Sequence, residues 1–108
     1  ANTFKLKTKA NVGVTTVGIY TAPAATTTVV IGITMANTSG SGVNVGVGIT
    51  RAGTTEDVKL LKNAPIPQGS SLEFMAGNKI VLEETDTVTV DSDTNNSVDA
   101  ALTIMEIT

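Results

Sequence analysis

The sequence predicts an all-β fold: a single-domain antiparallel β-sandwich, jelly-roll-like, with eight or nine short strands spread over residues 1–108. Three observations carry this prediction. Val, Ile and Thr are abundant; such β-branched side chains are stiff at their first torsion and sit well on a pleated surface. Apolar residues alternate with polar ones in several windows, and no window shows the period of a long amphipathic helix. Turn signals recur at the short, regular spacing of sandwiches and barrels. The length is that of one domain with one modest core.

The elements follow in order. Phe4-Lys5-Leu6-Lys7-Thr8-Lys9 alternates strictly, so Phe4, Leu6 and Thr8 share one face and the three lysines the other. The expected arrangement buries the Phe4 face and solvates a cationic one, on a strand whose lysines suit a sheet edge. Val12–Thr21 continues in β-branched residues, and Ala22-Pro23-Ala24-Ala25 turns because Pro fixes its own φ and restricts Ala22. Thr27–Asn37 is apolar on both sides, as in a central strand or one that also meets a neighbour. Thr38-Ser39-Gly40-Ser41-Gly42 is a tight polar turn, and Val43, Val45, Val47 and Ile49 then alternate with Asn44, Gly46, Gly48 and Thr50. Together Thr27–Arg51 reads as a hairpin. Gly46 and Gly48 face away from the valines, which fits a bulge, close approach of another backbone, or compositional drift.

Arg51–Asp57 reads as a loop, Val58–Leu61 as a short strand, and Ala64-Pro65-Ile66-Pro67-Gln68-Gly69 as a stiff connection. Ser71–Met75 is a strand with Leu72 and Phe74 inward. Ala76-Gly77-Asn78 turns into Lys79–Leu82, and Glu83–Asp86 turns into Thr87–Val90. Asp91–Ser97 is a polar loop, and Val98–Ile107 is a last strand with Leu102 and Ile104 on one face. Leu60-Leu61 and Ala100-Ala101-Leu102 would also fit short helices.

Composition excludes much chemistry. With no Cys there is no disulfide, thiolate nucleophile or Cys-based zinc site, so core packing or oligomerisation must stabilise the fold. With no His the commonest general base and metal ligand is missing. No run of about 18 apolar residues predicts a transmembrane helix, and no membrane partner is expected. Ala1–Lys5 lacks a charged region followed by an apolar stretch, so it is not read as a signal peptide; a small first residue fits removal of an initiator Met or of a leader. The net charge of −3 hides an asymmetry: residues 1–51 carry four cations and no acid, and residues 52–108 carry ten acids against three cations. This fits either plain solvation or head-to-tail complementarity between subunits.

Asp91-Ser92-Asp93-Thr94-Asn95 opens like a calcium loop. The sixth position is Asn96 rather than Gly, and the twelfth is Leu102 rather than Glu. Asp and Asn also serve ordinary turns. Asp91, Asp93 and Asn95 are therefore noted as cation ligands while a turn, with no metal and no cofactor, is expected. Glu83, Glu84 and Asp86 cluster in a turn, but paired carboxylates for sugar hydrolysis need a cleft and aromatic platforms, and only Phe4, Tyr20 and Phe74 are aromatic. Nothing activates the many hydroxyls. No phosphate loop is present. Lys5, Lys7 and Lys9, without interleaved aromatics on an acidic chain, do not predict nucleic-acid binding. Asn37-Thr38-Ser39 and Asn95-Asn96-Ser97 match the glycosylation sequon. No catalytic residue is assigned.

Several segments together resemble a known group. Tyr20-Thr21-Ala22-Pro23-Ala24, Val29–Gly32, Ala36–Ser39, Ala64–Phe74 and Lys79–Val90 resemble small virion structural proteins of tailed bacteriophages, including those of cyanophages. The resemblance spans about Phe4 to Glu106 and rests on turns and strands, not on a site. It implies a β-sandwich module located in the virion. The implied function is capsid decoration or cement, binding the major capsid protein, or else a tail, neck or fibre component. A homo-oligomer is expected with it, a trimer foremost. Lys5, Lys7 and Lys9 are the expected contact with an acidic partner surface. A secreted adhesive or carbohydrate-binding module is the rival from another class, and scarce aromatics count against it.

Overall fold

A computed structural model describes residues 2–53, 56–74 and 79–108. The described residues form nine strands and no helix: β1 (Asn2–Val12), β2 (Val17–Thr21), β3 (Thr27–Asn37), β4 (Val43–Arg51), β5 (Glu56–Ile66), β6 (Ser71–Phe74), β7 (Ile80–Leu82), β8 (Asp86–Ser92) and β9 (Val98–Ile107). They make two antiparallel sheets. One runs β1-β9-β3 and then β6 and β7, which both pair with β3; the other runs β2-β8-β4-β5. This is a jelly roll with one strand in two pieces. The expected count of eight or nine strands depends on how those two pieces are counted. The turn expected at Ala76-Gly77-Asn78 lies outside the described residues. The pieces on either side of it run in the same direction along β3, with Ala36 opposite Ser71 and Thr28 opposite Leu82.

The core is a layer of Val, Ile, Leu and Met between the sheets. Ile33, Met35, Val45, Val47, Val90, Leu102 and Ile104 are fully buried within it. β9 shows how sequence becomes layer: Val98, Ala100, Leu102 and Ile104 point inward and alternate with more exposed positions. Leu60, Leu61 and Ala100–Leu102 lie in strands rather than short helices.

Three expectations are corrected. Thr27–Arg51 is not a hairpin, because β3 and β4 belong to different sheets. The Thr38–Gly42 turn carries the chain across the sandwich, and β4 pairs instead with β5 and β8. Both strands are central in their sheets, which is why both are so apolar. The short strand at Val58–Leu61 and the connection after it are one long strand, β5, reaching Ile66. Pro65 is tolerated there because β5 is a sheet edge and its missing N–H costs no ladder bond.

The third correction concerns β1. Its lysines, not its aromatic, share the side of the inward residues of β9: Lys5 pairs with Ile104, Lys7 with Leu102 and Lys9 with Ala100. Phe4 and Leu6 face outward, 69% and 64% exposed. Alternation requires two different faces but does not say which is inside. At this flank of the sandwich the lysine stems cover apolar surface while their ammonium groups reach water or a carboxylate. Val12 returns to the core after a register shift between Lys9 and Val12, where Asn11 adopts φ 57°.

Candidate assembly surface

A polar clasp ties the two sheets beneath β1. The Tyr20 hydroxyl donates to Glu106 Oε2 at 2.7 Å. Its single hydrogen is thereby used, so Thr28 donates to the Tyr20 oxygen, at 2.8 Å. Lys5 Nζ donates to Glu106 Oε1 at 2.9 Å, and Lys7 Nζ stands 6.0 Å from the centre of the Tyr20 ring. Glu106 is only 7% exposed, and a buried carboxylate needs such partners. The Lys5 bond, then the Tyr20 bond, hold its carboxyl below the usual carboxylate range. Burial, reinforced by Glu106, pushes the Tyr20 hydroxyl up to about 12.

Two of the three expected contact lysines also make contacts within the molecule, although the Lys5 side chain stays 43% exposed. Lys5 is bound to Glu106 and Lys7 leans over Tyr20, while Lys9 is exposed. The charge asymmetry has a related explanation. Lys5–Glu106, Arg51–Glu83 and Arg51–Asp86 each join a cation of residues 1–51 to an acid of residues 52–108. Strands from the two halves interleave in each sheet, so the chain neutralises part of its own asymmetry.

The noted cation ligands do not converge. Asp91 accepts from Thr16 Oγ1 at 3.0 Å and lies 3.6 Å from Lys59 Nζ. Asp93 Oδ1 accepts from the Asn44 backbone N–H at 3.1 Å, and Asn95 Oδ1 from that of Val14 at 3.3 Å. Asp91 and Asn95 anchor the loop between β1 and β2, and Asp93 anchors the start of β4. The described residues contain no group of three acidic side chains placed to hold a metal ion.

The Glu83–Asp86 turn also works locally. Asp86 is buried, receives Arg51 Nε at 3.2 Å and accepts the Glu83 backbone N–H at 3.0 Å. Asp86 first and Glu83 second hold the Arg51 guanidinium firmly protonated. Glu84 accepts from the Ala25 backbone at 2.7 Å. The nearby hollow of about 410 Å³, lined by Ile49, Arg51, Val58, Val81, Glu83 and Asp86, is wide open.

The sequon at Asn37 is structural. Asn37 is buried, and its amide donates to Ser41 O at 2.8 Å and Ile66 O at 2.9 Å. It pins the crossing between β3 and β4, and its nitrogen does not face solvent.

The two broad outer faces differ sharply. On the four-stranded sheet, Thr21, Thr87 and Thr50 lie in one cross-strand row, and Thr89 lies between Gly18 and Gly48 in the next. This face is polar, with Asp91 and Lys59 on it. On the five-stranded sheet, Phe4, Met105, Val29 and Val81 form one in-register row across four strands. Leu6 and Ile107 flank it. Phe4, Leu6, Val81 and Ile107 are exposed large hydrophobics. Singly such residues are ordinary; a contiguous row is the mark of an interaction surface. Sequence reasoning missed it because it placed Phe4 and Leu6 inside. The available signal was the apolar character of both sides of Thr27–Asn37.

No family model and no curated protein matches the chain. Solved structures do. A chain of Bacillus endospore appendages, described as disulfide-linked pili, is 16% identical and has a TM-score of 0.57, over 100% of this chain and 87% of that one. A chain of infectious bursal disease virus, Gx strain, is 13% identical with a TM-score of 0.55, over 97% of this chain and 33% of that one. A chain of the cyanophage Pam1 capsid asymmetric unit is 13% identical with a TM-score of 0.43, over 96% and 85% respectively. At these identities the likeness is one of fold. The sandwich is a module that occurs both in a pilus and in a virus particle.

Proposed function

We propose that this chain is a non-catalytic structural subunit of a phage virion, a capsid decoration or cement protein that binds the major capsid protein. The observation that carries the reading is the exposed apolar face of the five-stranded sheet. A fold of this size gains nothing in water by displaying such a row, and gains binding energy when it is covered. The phage-like segments and the fold shared with a virus-particle chain support the setting. Lys9, with Lys7 beside it, is the contact with an acidic partner surface.

The pilus likeness favours a second reading within the same class, a tail, neck or fibre component. Assembly in either case uses no disulfide of this chain, because the chain has no cysteine. Counting copies per purified particle tests both. A count in the hundreds supports decoration, a handful supports the tail, and absence from particles refutes the virion setting.

A further inference from the structure

We propose that the apolar outer face of the five-stranded sheet mates with the same face of a second copy of this chain. The inference takes from the proposed function only that this face is covered in use; it does not depend on the virion. Three observations point to a second copy rather than to a different partner.

The first is charge. The row Phe4–Met105–Val29–Val81 and the flanking Leu6 and Ile107 include no ionisable group. Its nearest neighbours on this side are Asn2 and Thr8 along β1, Thr103 along β9, and Thr27 and Gly32 along β3. Charged groups surround the row without entering it: Asp99 on β9 and Glu73 on β6 stand toward one end, Lys79 and Glu83 lie two residues either side of Val81, and the lysines of β1 point the other way. A row without charge meets its own image with no like-charge repulsion at its centre, the penalty that usually opposes self-pairing on a chain of net charge −3.

The second is size. Four exposed large hydrophobics, Phe4, Leu6, Val81 and Ile107, stand together here, where monomers usually display such residues singly. Ringed by threonines, they have the layout of a stable interface, an apolar centre inside a polar rim.

The third is relief. Phe4 stands well out from one edge strand. Toward the opposite edge, a depression of about 230 Å³ opens beside Gly32, lined by Ile31, Thr34, Glu73, Phe74 and Thr103. Among the described residues, a Cβ added at Gly32 would come near the Phe74 carbonyl alone, at 3.9 Å. A projection and a hollow on one face are what a two-fold contact requires, each copy supplying one to the other.

Sedimentation velocity on the full chain, from low micromolar to near-millimolar concentration, tests this. The wild type is expected to move from the 11.0 kDa monomer toward twice that mass. Phe4→Glu and Leu6→Glu change exposed side chains, so circular dichroism should be unaltered, and each should weaken self-association about 100-fold. Thr87→Glu, on the opposite outer face, should leave it unchanged. A wild type that stays monomeric throughout overturns the inference, as does association insensitive to Phe4→Glu and Leu6→Glu. A species of three copies overturns the two-fold pairing. Occupancy of purified particles, measured separately, reports on the virion reading. A monomer that occupies particles sinks the pairing alone, and a dimer absent from particles sinks the virion setting alone.

Discussion

Replacing Tyr20 by Phe removes one oxygen and leaves the ring in place. Two groups lose a partner. Thr28, with 0% exposure, has no acceptor for its hydroxyl, and Glu106 Oε2 has no donor. A buried polar group left unpaired costs about 1–3 kcal/mol, more when it is charged. The lost hydroxyl was itself partly desolvated, which returns some of that. The expected destabilisation is about 1–3 kcal/mol, a fall in Tm of roughly 4–8 °C per kcal/mol at this chain length. Urea unfolding followed by circular dichroism measures it. Thr28→Val removes the stranded hydroxyl, so Tyr20→Phe with Thr28→Val should cost less than the two single changes together. The pH dependence gives an independent check. The Glu106 carboxyl is depressed in the folded state, so its stabilisation is present above the unfolded carboxylate value and is lost as pH falls through the folded one. Without the Tyr20 bond that folded value rises, and acid unfolding should begin at higher pH. Unaltered stability and an unaltered acid limb in Tyr20→Phe would refute the clasp between the sheets.

Other predictions test separate parts of the structure. A Cβ on Gly48 would stand 2.8 Å from the Val58 carbonyl, which is backbone and cannot swing away, so Gly48→Ala should cost about 1–3 kcal/mol by thermal unfolding. Gly40→Ala meets nothing within 4 Å and should be close to neutral in the same assay. Leu102→Ala empties a fully buried core position and should cost about 2–5 kcal/mol by chemical unfolding. On the alkaline side, the folded Tyr20 hydroxyl titrates at about 12 against an ordinary 10.0, so stability present below 10.0 should fall as pH climbs through that interval; Tyr20→Phe should lose this limb. Lys9→Glu should weaken particle binding at low salt while leaving unfolding unchanged, whereas Lys5→Glu should also destabilise the fold by placing a second carboxylate beside Glu106. Equal effects of the two substitutions on stability would contradict the different places given to these lysines.

The limits of sequence reading show in particular residues. Gly46 and Gly48 lie inside a strand, which glycine weakens. The structure explains both: register shifts of β4 against β5 lie between Val45 and Val47 and between Val47 and Gly48, and neighbouring oxygens crowd both glycines. Asn37 ends a predicted strand and opens a sequon, and in the fold it is a buried pin that donates to Ile66 O on another strand. Asp91, Asp93 and Asn95 share a motif spacing, but the β1–β2 loop recruits Asp91 and Asn95 while β4 recruits Asp93.

Composition and periodicity determined that the chain is all-β, roughly where its strands lie, that turns separate them, and that chemistry built on Cys or His is closed to it. These are local properties: torsional stiffness, alternation and turn residues act within a few positions of one another. Only the tertiary structure decided which strands pair, that β3 and β4 sit in different sheets, and that Phe4 and Leu6 face out. A period of two has no sign. Its sign comes from register against β9 at the far end of the sequence, where Glu106 and Tyr20 draw the Lys5 side inward and leave an apolar face to be covered from outside.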